Sequence, residues 1–459
     1  MQGLKSPLNK VPGPWYARFT NLPLKLAVIR GRRIHHVYAL HARYGSYVRL
    51  APTEIGVNSL SGFKQIHGIG SGFTKSQWYQ DLVLMERPGV FSMTSPAQHA
   101  ARRKLLARAF SKSYLREHWE SAVREKVQLA VARMQDEARL DSGGLVDVLK
   151  WWTFMASDIS SHLMFGESFH TLERGEVGAY MRVLANALKG GGIGAELPLV
   201  RLVGQWVPLQ AARELFGVNE IVEAYGRTAV ANMKASGGAR NIFANMMAEA
   251  GKGERLDDRD VEIEATNLIV AGTDTTAVSL TYLVYAVLSD PALQQRLVAE
   301  VSGLPETYGD ADLEGLPVLS AVVEETLRLY GAAPGMLPRA VPSGGIALGE
   351  FFLPAGTTAT TQSYSMHRDA SLFPDPEAFN IARWLPSTPA ENRYRLSDAA
   401  RAAFSPFGAG SRTCLGIHLA YTELRLATAE FFRHCGGARL GASATSAWYI
   451  PLSNFPVSR

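Results

Sequence analysis

Apolar residues recur at helical spacing over much of the chain, and one run stands apart. After Asp257 and Asp258, either of which can cap a helix, positions Val261, Ile263, Leu268, Ile269, Val270, Ala277, Val278, Leu280, Leu283, Val284 and Val287 are apolar until Asp290-Pro291 stops the pattern. Roughly 30 residues predict a helix about 45 Å long. Being apolar around most of its circumference, it must run through the middle of the molecule. Shorter helical patterns cover residues 97–138 and 145–165. Strand patterns are few: Gly45–Ser59 reads as two short strands about a proline-containing turn, and Gly345–Thr361 as strand, turn and strand. Between residues 187 and 209, glycines and prolines interrupt an apolar stretch, which reads as a mobile cover. With no repeat, low-complexity tract or linker, the fold class is mainly α with small β-sheets, one large domain around a long central helix.

Composition narrows the function. The 459 residues are 47% hydrophobic and 19% charged, as in ordinary globular proteins. Two cysteines, Cys414 and Cys435, exclude a disulfide framework and a cysteine-rich zinc site and suit a reducing compartment. The net charge of +5 has two readings, a soluble surface or a docking face for an acidic partner. No dense basic run interleaved with aromatics is present, so nucleic acid is not an expected partner. No apolar stretch is long enough to span a membrane, and the opening MQGLKSPLNKVPGPWYARFT lacks the apolar core of a signal peptide. Its rigid Pro-Gly-Pro start suggests that something preceded it.

Four stretches carry chemistry. In FSPFGAGSRTCLG, Cys414 sits among Gly408, Gly410 and Gly416, with Arg412 two residues before it and a helical pattern directly after. Such glycines let a large planar ligand approach the backbone, the arginine fork suits a carboxylate, and a helix N-terminus favours a thiolate. A buried structural cysteine, a nucleophile and a metal ligand all remain open on those residues alone. Within the long helix, Gly272 costs roughly 1 kcal/mol against alanine, and four polar residues, Thr273–Thr276, follow it. That is a poor choice for a buried helix unless something uses them. Glu325 and Arg328 lie three apart on one helical face, and His99 and Arg103 four apart on another.

The loop Phe407, Gly410, Arg412, Cys414, Gly416 resembles, at every spacing, the haem-ligand loop of the cytochrome P-450 superfamily (F-x-x-G-x-R-x-C-x-G). The resemblance implies haem b, with Cys414 as axial thiolate, Arg412 on a propionate, and Phe407, Gly408 and Gly416 shaping the loop. Ala271–Thr276 resembles the family's central-helix signature, in which Asp274 and Thr275 open the helix locally and relay protons. Glu325 and Arg328 resemble its E-x-x-R pair, completed by Arg383, although Ile381 stands where proline is usual. His99, Arg103 and Arg339 resemble further propionate contacts. The segment before His99, the central helix and a cover around residues 180–215 would line the substrate pocket, with Trp78, Phe91, Met93, Ile269, Ala271, Pro334 and Met336 as its walls.

The activity implied is a monooxygenase that uses O2 to hydroxylate, desaturate, cyclise or couple an apolar small molecule, with a place in fungal secondary metabolism. The alternatives are a haem-thiolate isomerase or peroxygenase, or a haem-binding protein without turnover. Only 45 residues follow Cys414, so electrons are expected from a separate NADPH-dependent flavoprotein reductase, docking on the basic stretch Arg102–Arg116. Residues 1–20 resemble the hinge after the membrane anchor of fungal microsomal members, leaving 21–459 as the catalytic domain. The native protein would then be a monomer on the cytosolic face of the endoplasmic reticulum membrane, and this chain without its anchor a soluble form.

Overall fold

The computed structural model describes residues 6–83, 85–176, 190–204, 219–235, 257–386 and 392–441, with a few single positions between 207 and 246. Helices dominate: α1 (Leu22–Ile29), α2 (Arg33–Tyr44), α3 (Leu60–His67), α4 (Pro96–Ala107), α5 (Lys112–His118), α6 (Glu120–Leu140), α7 (Val148–Phe165), α8 (Pro198–Gly204), α9 (Asn219–Ala235), α10 (Asp258–Leu288), α11 (Pro291–Ser302), α12 (Pro317–Tyr330) and α13 (Ile417–His434).

The central helix is α10, whose 31 residues make it about 46 Å long. Asp257 caps it: its carboxylate accepts the Asp260 amide at 2.9 Å, and Asp260 accepts the Asp257 amide in return. Asp290 then caps α11, so the chain turns sharply where the apolar pattern stops. Helices α7, α9, α12 and α13 pack around α10, and their apolar faces form the main core. Among the described helices only α10 is long and apolar enough to cross a bilayer, and it is packed inside the protein. The two helices α7 and α10 approach so closely at Gly272 that an added Cβ would lie 2.5 Å from Ser160 Oγ.

A five-stranded sheet, ordered β1-β2-β7-β4-β3, lies to one side. It comprises β1 (Tyr47–Ala51), β2 (Glu54–Val57), β3 (Thr74–Lys75), β4 (Met336–Ala340) and β7 (Thr358–Gln362). Its pairs are antiparallel except β2 with β7, where Ile55 faces Ala359. The stretch 345–361 holds more than the expected strand-turn-strand. Strands β5 (Ile346–Leu348) and β6 (Phe351–Leu353) form a separate hairpin, and Pro354-Ala-Gly356, with Gly356 at φ +81°, redirects the chain into β7.

The opening residues pack on the body from Ser6 onward. Leu8, Val11 and Ala17 are buried, and Pro12 O accepts the Arg49 amide of β1 at 2.7 Å. Of the expected cover, residues 190–204 are described and largely helical, with α8 at their end. The rest of 180–215, apart from single positions, lies outside the described residues.

Candidate active site

The cysteine loop is shaped by close approaches. The Cys414 amide donates to Phe407 O at 2.8 Å, closing the loop on itself. Gly410 sits at φ +67°, where a Cβ would fall 1.9 Å from His67 O, so only glycine lets this turn rest on α3. The Phe407 ring packs on Tyr421 of α13 at 5.4 Å between centroids. Gly416 caps α13, and nothing lies within 4 Å of where its Cβ would be. Cys414 is a free thiol with accessible surface, although protein surrounds it closely enough to desolvate it. Surrounding protein desolvates the thiol and pushes its pKa up, against the pull of the Gly416 amide hydrogen bond and of Arg103.

Beside this loop lies a cluster of cations. Arg412 donates to Met93 O at 2.8 Å and Thr94 O at 3.4 Å; Arg103 donates to Thr413 O at 2.7 Å. Arg339 donates to the Tyr79 hydroxyl at 3.0 Å and Pro338 O at 3.1 Å. Lys75, which the sequence reading missed, donates to Phe91 O. It is the β3 residue directly opposite Arg339 on β4, an arrangement that costs stability when both are charged. Among the described residues no carboxylate pairs with any of these four groups.

The consequence is mutual repulsion. Burial, then Arg339 and Arg103, brings Arg412 down to about 10, and Lys75 falls well below its usual value through burial, Arg339 and Arg412. Buried His99 drops to about 4, from desolvation and then from Arg412, Arg103 and Lys75. A cavity of about 310 Å³ opens here, lined by His67, Phe73, Lys75, Pro96, Arg339 and Arg412 among others. Four cations, Lys75 and Arg339 buried and Arg103 and Arg412 half-buried, with no anion among the described residues, suit a planar ligand carrying more than one carboxylate.

On α10, Ala271 is exposed in an otherwise buried helix, and Thr275 and Asp274 are partly accessible. Desolvation raises the Asp274 carboxyl to about 6. The expected local opening of the helix is not seen, because the hydroxyls return to the backbone. Thr275 Oγ1 donates to Ala271 O at 2.6 Å, Thr273 Oγ1 to Ile269 O at 2.9 Å and Ser279 Oγ to Thr275 O at 2.8 Å. Thr276 instead donates to Glu423 Oε2 at 2.7 Å, tying α10 to the helix that follows Cys414.

None of the expected substrate-pocket walls lines the cavity beside the cations. Met93 and Pro334 are buried, while Met336 and Trp78 are half-buried. Phe91 keeps 43% of its surface and lays its ring against the Lys75 ammonium. Ile269 is a correction: it is fully buried in the main core, because it lies on the face of α10 turned toward the neighbouring helices.

The E-x-x-R pair is fully buried. Arg328 reaches both Glu325 oxygens at 2.8 Å, and Arg383 reaches Oε1 at 3.0 Å. Trp384 Nε1 and the Asn380 amide fill the remaining lone pairs at 2.9 Å. His367, another missed residue, links this network toward the cysteine loop. Its Nδ1 donates to Arg328 O at 3.1 Å, and its Nε2 accepts the Ser405 amide at 2.9 Å. Burial holds it neutral, with a pKa of about 3.

The basic stretch 102–116 is also corrected. It is two helices, broken where Ser111 caps α5. Arg102 points inward to Glu264 and Asp260, and Arg116 and Lys112 are paired with Asp310 and Glu314. Lys104 and Arg108 remain on the surface.

The Cytochrome P-450 family model matches residues 12–436. The chain is 40% identical to the cytochrome P-450 monooxygenase stcB of Emericella nidulans, over 96% of this chain and 84% of the relative. It is 41% identical to the cytochrome P-450 monooxygenase tazI of Aspergillus terreus, over 93% and 86%. It is 33% identical to a methylphloroacetophenone oxidase of Cladonia uncialis, over 81% and 84%. With its helical fold, its desolvated thiol and a family match across nearly the whole chain, the protein belongs to the cytochrome P-450 family and is a monooxygenase with a haem-thiolate cofactor.

Proposed function

We propose that Cys414 is the thiolate ligand of haem b, and that Arg412, Arg339, Arg103 and His99, joined by Lys75, hold its two propionates. The observation that carries this reading is the group of buried and half-buried cations, without a carboxylate partner among the described residues, beside the Cys414 thiol. Two carboxylates would relieve the repulsion that now depresses Arg412 and Lys75. Gly408, at φ +73°, and Gly416 keep side chains away from the ligand face, while Phe407 braces the loop on α13. Glu325, Arg328 and Arg383 hold the segment that leads into the loop.

When bound, the haem supplies the activation of O2 and the insertion of one oxygen atom into the substrate. The chain's own part is to deliver protons and exclude water. Asp274 holds or releases a proton near pH 6, and the Thr275 hydroxyl passes it on once it lets go of Ala271 O. Met93, Phe91, Trp78, Pro334, Met336 and Ala271 wall a site suited to an apolar, aromatic small molecule of fungal secondary metabolism. The Cladonia relative, named for an aromatic ketone, supports that class.

Electrons come from an NADPH-dependent flavoprotein reductase, whose acidic face would meet Lys104 and Arg108. The protein works at the cytosolic face of the endoplasmic reticulum. Exposed Leu22, Leu26 and Ile29 of α1 and Leu199, Leu202 and Val203 of α8 support this. Lys25 Nζ donates to Glu196 O at 2.5 Å and joins these two regions.

The test is the dithionite-reduced, carbon-monoxide difference spectrum of wild type beside Cys414→Ala. A Soret band shifted far to the red, present only in wild type, is expected. A band at the position of histidine-ligated haem would overturn the assignment.

A further inference from the structure

Residues 85–95 form a segment without regular secondary structure, strung between α10 and the cation cluster. Its cluster side is held by its own carbonyls: Phe91 O accepts Lys75, and Met93 O and Thr94 O accept Arg412. Its other side is held by one buried side chain. Glu264 of α10 accepts the Val90 amide on both oxygens, at 2.8 and 3.1 Å, and is itself held by Arg102 of α4 at 2.8 Å. Arg102 also pairs with Asp260 at 3.0 Å. Outside this layer, Arg87 pairs with Asp257 at 2.7 Å and Glu86 with Arg259 at 3.2 Å, both at the surface.

The approach is tight. A Cβ at Gly89 would lie 2.4 Å from Asn267 Nδ2 and 3.2 Å from Glu264 Oε2, so the chain presses directly on α10. Gly89 O then accepts the Ser92 and Met93 amides, folding Val90–Met93 into a turn that hangs from the Glu264 contact. That turn carries Phe91 and Met93.

A carboxylate is an expensive filler for this position. Glu264 has no exposed surface, and burial pushes it up to about 7 despite Arg102 and the Val90 amide. Leucine or methionine would fill the space without a desolvation cost. What neither could do is grip a backbone N–H of a segment that has no strand or helix partner of its own.

Resting on the reading of Phe91 and Met93 as walls of the substrate site, we propose that Glu264, clamped by Arg102, is a positioning residue. It fixes the Val90–Met93 wall of the substrate site and so sets which ligands fit, without touching the ligand. The surface pairs Arg87–Asp257 and Glu86–Arg259 add little to this, since exposed ion pairs are weak. Among the described residues Glu264 is the one buried side chain of α10 that hydrogen-bonds this segment.

Two measurements on purified holoprotein test it. The first is amide hydrogen exchange of the peptide spanning 86–95. Protection should fall in Glu264→Ala and persist in Glu264→Gln, whose amide carbonyl still accepts the Val90 N–H. The second is spectral titration with imidazole, which is small enough to need no wall, and with 4-phenylimidazole, whose ring must rest on one. Glu264→Ala should reduce the preference for 4-phenylimidazole over imidazole by about tenfold, with imidazole binding unchanged and Glu264→Gln close to wild type.

Val90→Pro, which deletes the donor while also fixing φ and changing a core side chain, should act like Glu264→Ala and serves if that variant fails to accumulate. Unchanged exchange in the tested variant overturns the proposal. So does raised exchange with an unchanged preference, or equal weakening of both azoles, the mark of general damage. Failure of imidazole to shift the wild-type Soret band would instead sink the haem assignment, and the exchange experiment would still decide the tether.

Discussion

Replacing Glu423 by glutamine should shift stability progressively in the variant's favour as pH rises from 5 to 8. Glu423 is buried between α13 and α10, where Thr276 donates to one oxygen and the other has no partner. Desolvation raises its carboxyl from 4.5 to about 8, the Thr276 hydrogen bond pulling slightly the other way. The folded protein therefore keeps a proton between pH 4.5 and 8 that the unfolded chain releases. For a raised carboxyl, stability is highest below 4.5, falls as pH rises through this window and levels off above 8.

Each pH unit inside the window is worth about 1.4 kcal/mol, so the loss relative to acid is about 1 kcal/mol at pH 5 and about 3 kcal/mol at pH 7. Glutamine does not titrate. Its amide still accepts the Thr276 hydroxyl, and any cost of an unpaired N–H, about 1–3 kcal/mol, is the same at every pH. Relative to wild type, Glu423→Gln should thus gain about 2–3 kcal/mol between pH 5 and 7. Urea unfolding followed by tryptophan fluorescence, on both chains at both pH values, reads this difference. Glu264, Glu324 and Asp274 are also raised, but they titrate in both chains and cancel. Parallel stability curves would refute the reasoning.

Three further outcomes are expected. Gly272→Ala, which sets a Cβ 2.5 Å from Ser160 Oγ, should cost about 1–3 kcal/mol despite alanine's better helix propensity, and Ser160→Ala should restore most of it; thermal unfolding of the single and double variants checks this. Arg383→Leu leaves the buried Glu325 charge short of a partner and should cost about 3–5 kcal/mol, read as a lower urea midpoint. Arg412→Ala should speed haem transfer to apomyoglobin by about 10–100-fold through the loss of a charged hydrogen bond. The same change should stabilise the apoprotein, because it relieves the repulsion with Arg339 and Arg103, and an apoprotein made less stable would contradict that.

The elements with a strong local signal were legible in the sequence. The central helix was found with its cap narrowed to Asp257 or Asp258, of which the structure uses Asp257, and with its stop at Asp290-Pro291, because amphipathic period, caps and breakers are local properties. The Glu325–Arg328–Arg383 cluster was reached through motif spacing, even with Ile381 in place of proline. What escaped depended on the partner across the gap. Arg102 reads like any basic helical residue until Glu264, 162 residues later, arrives beside it. Glu423 lies at a helical position where a glutamate ordinarily faces water, and only the packing of α10 buries it. Lys75 sits in a two-residue strand, too short for any periodicity to announce it. Ile269 failed as a cavity wall because periodicity gives a face, and two faces of α10 are apolar.

The parallel pairing of β2 with β7 has a consequence for how the protein is made. Glu54 meets Thr358, and Gln362 Nε2 reaches back to Ile34 O, so the sheet joins parts of the chain about 300 residues apart. At about 5–20 residues per second, the β1–β2 hairpin leaves the ribosome roughly 15–60 seconds before its partner strand is synthesised. During that interval β2 has an unpaired edge beside apolar Ile55 and Val57, the kind of edge that recruits other chains. High expression without matching chaperone capacity should therefore lose protein to aggregation at this hairpin, before any haem is involved.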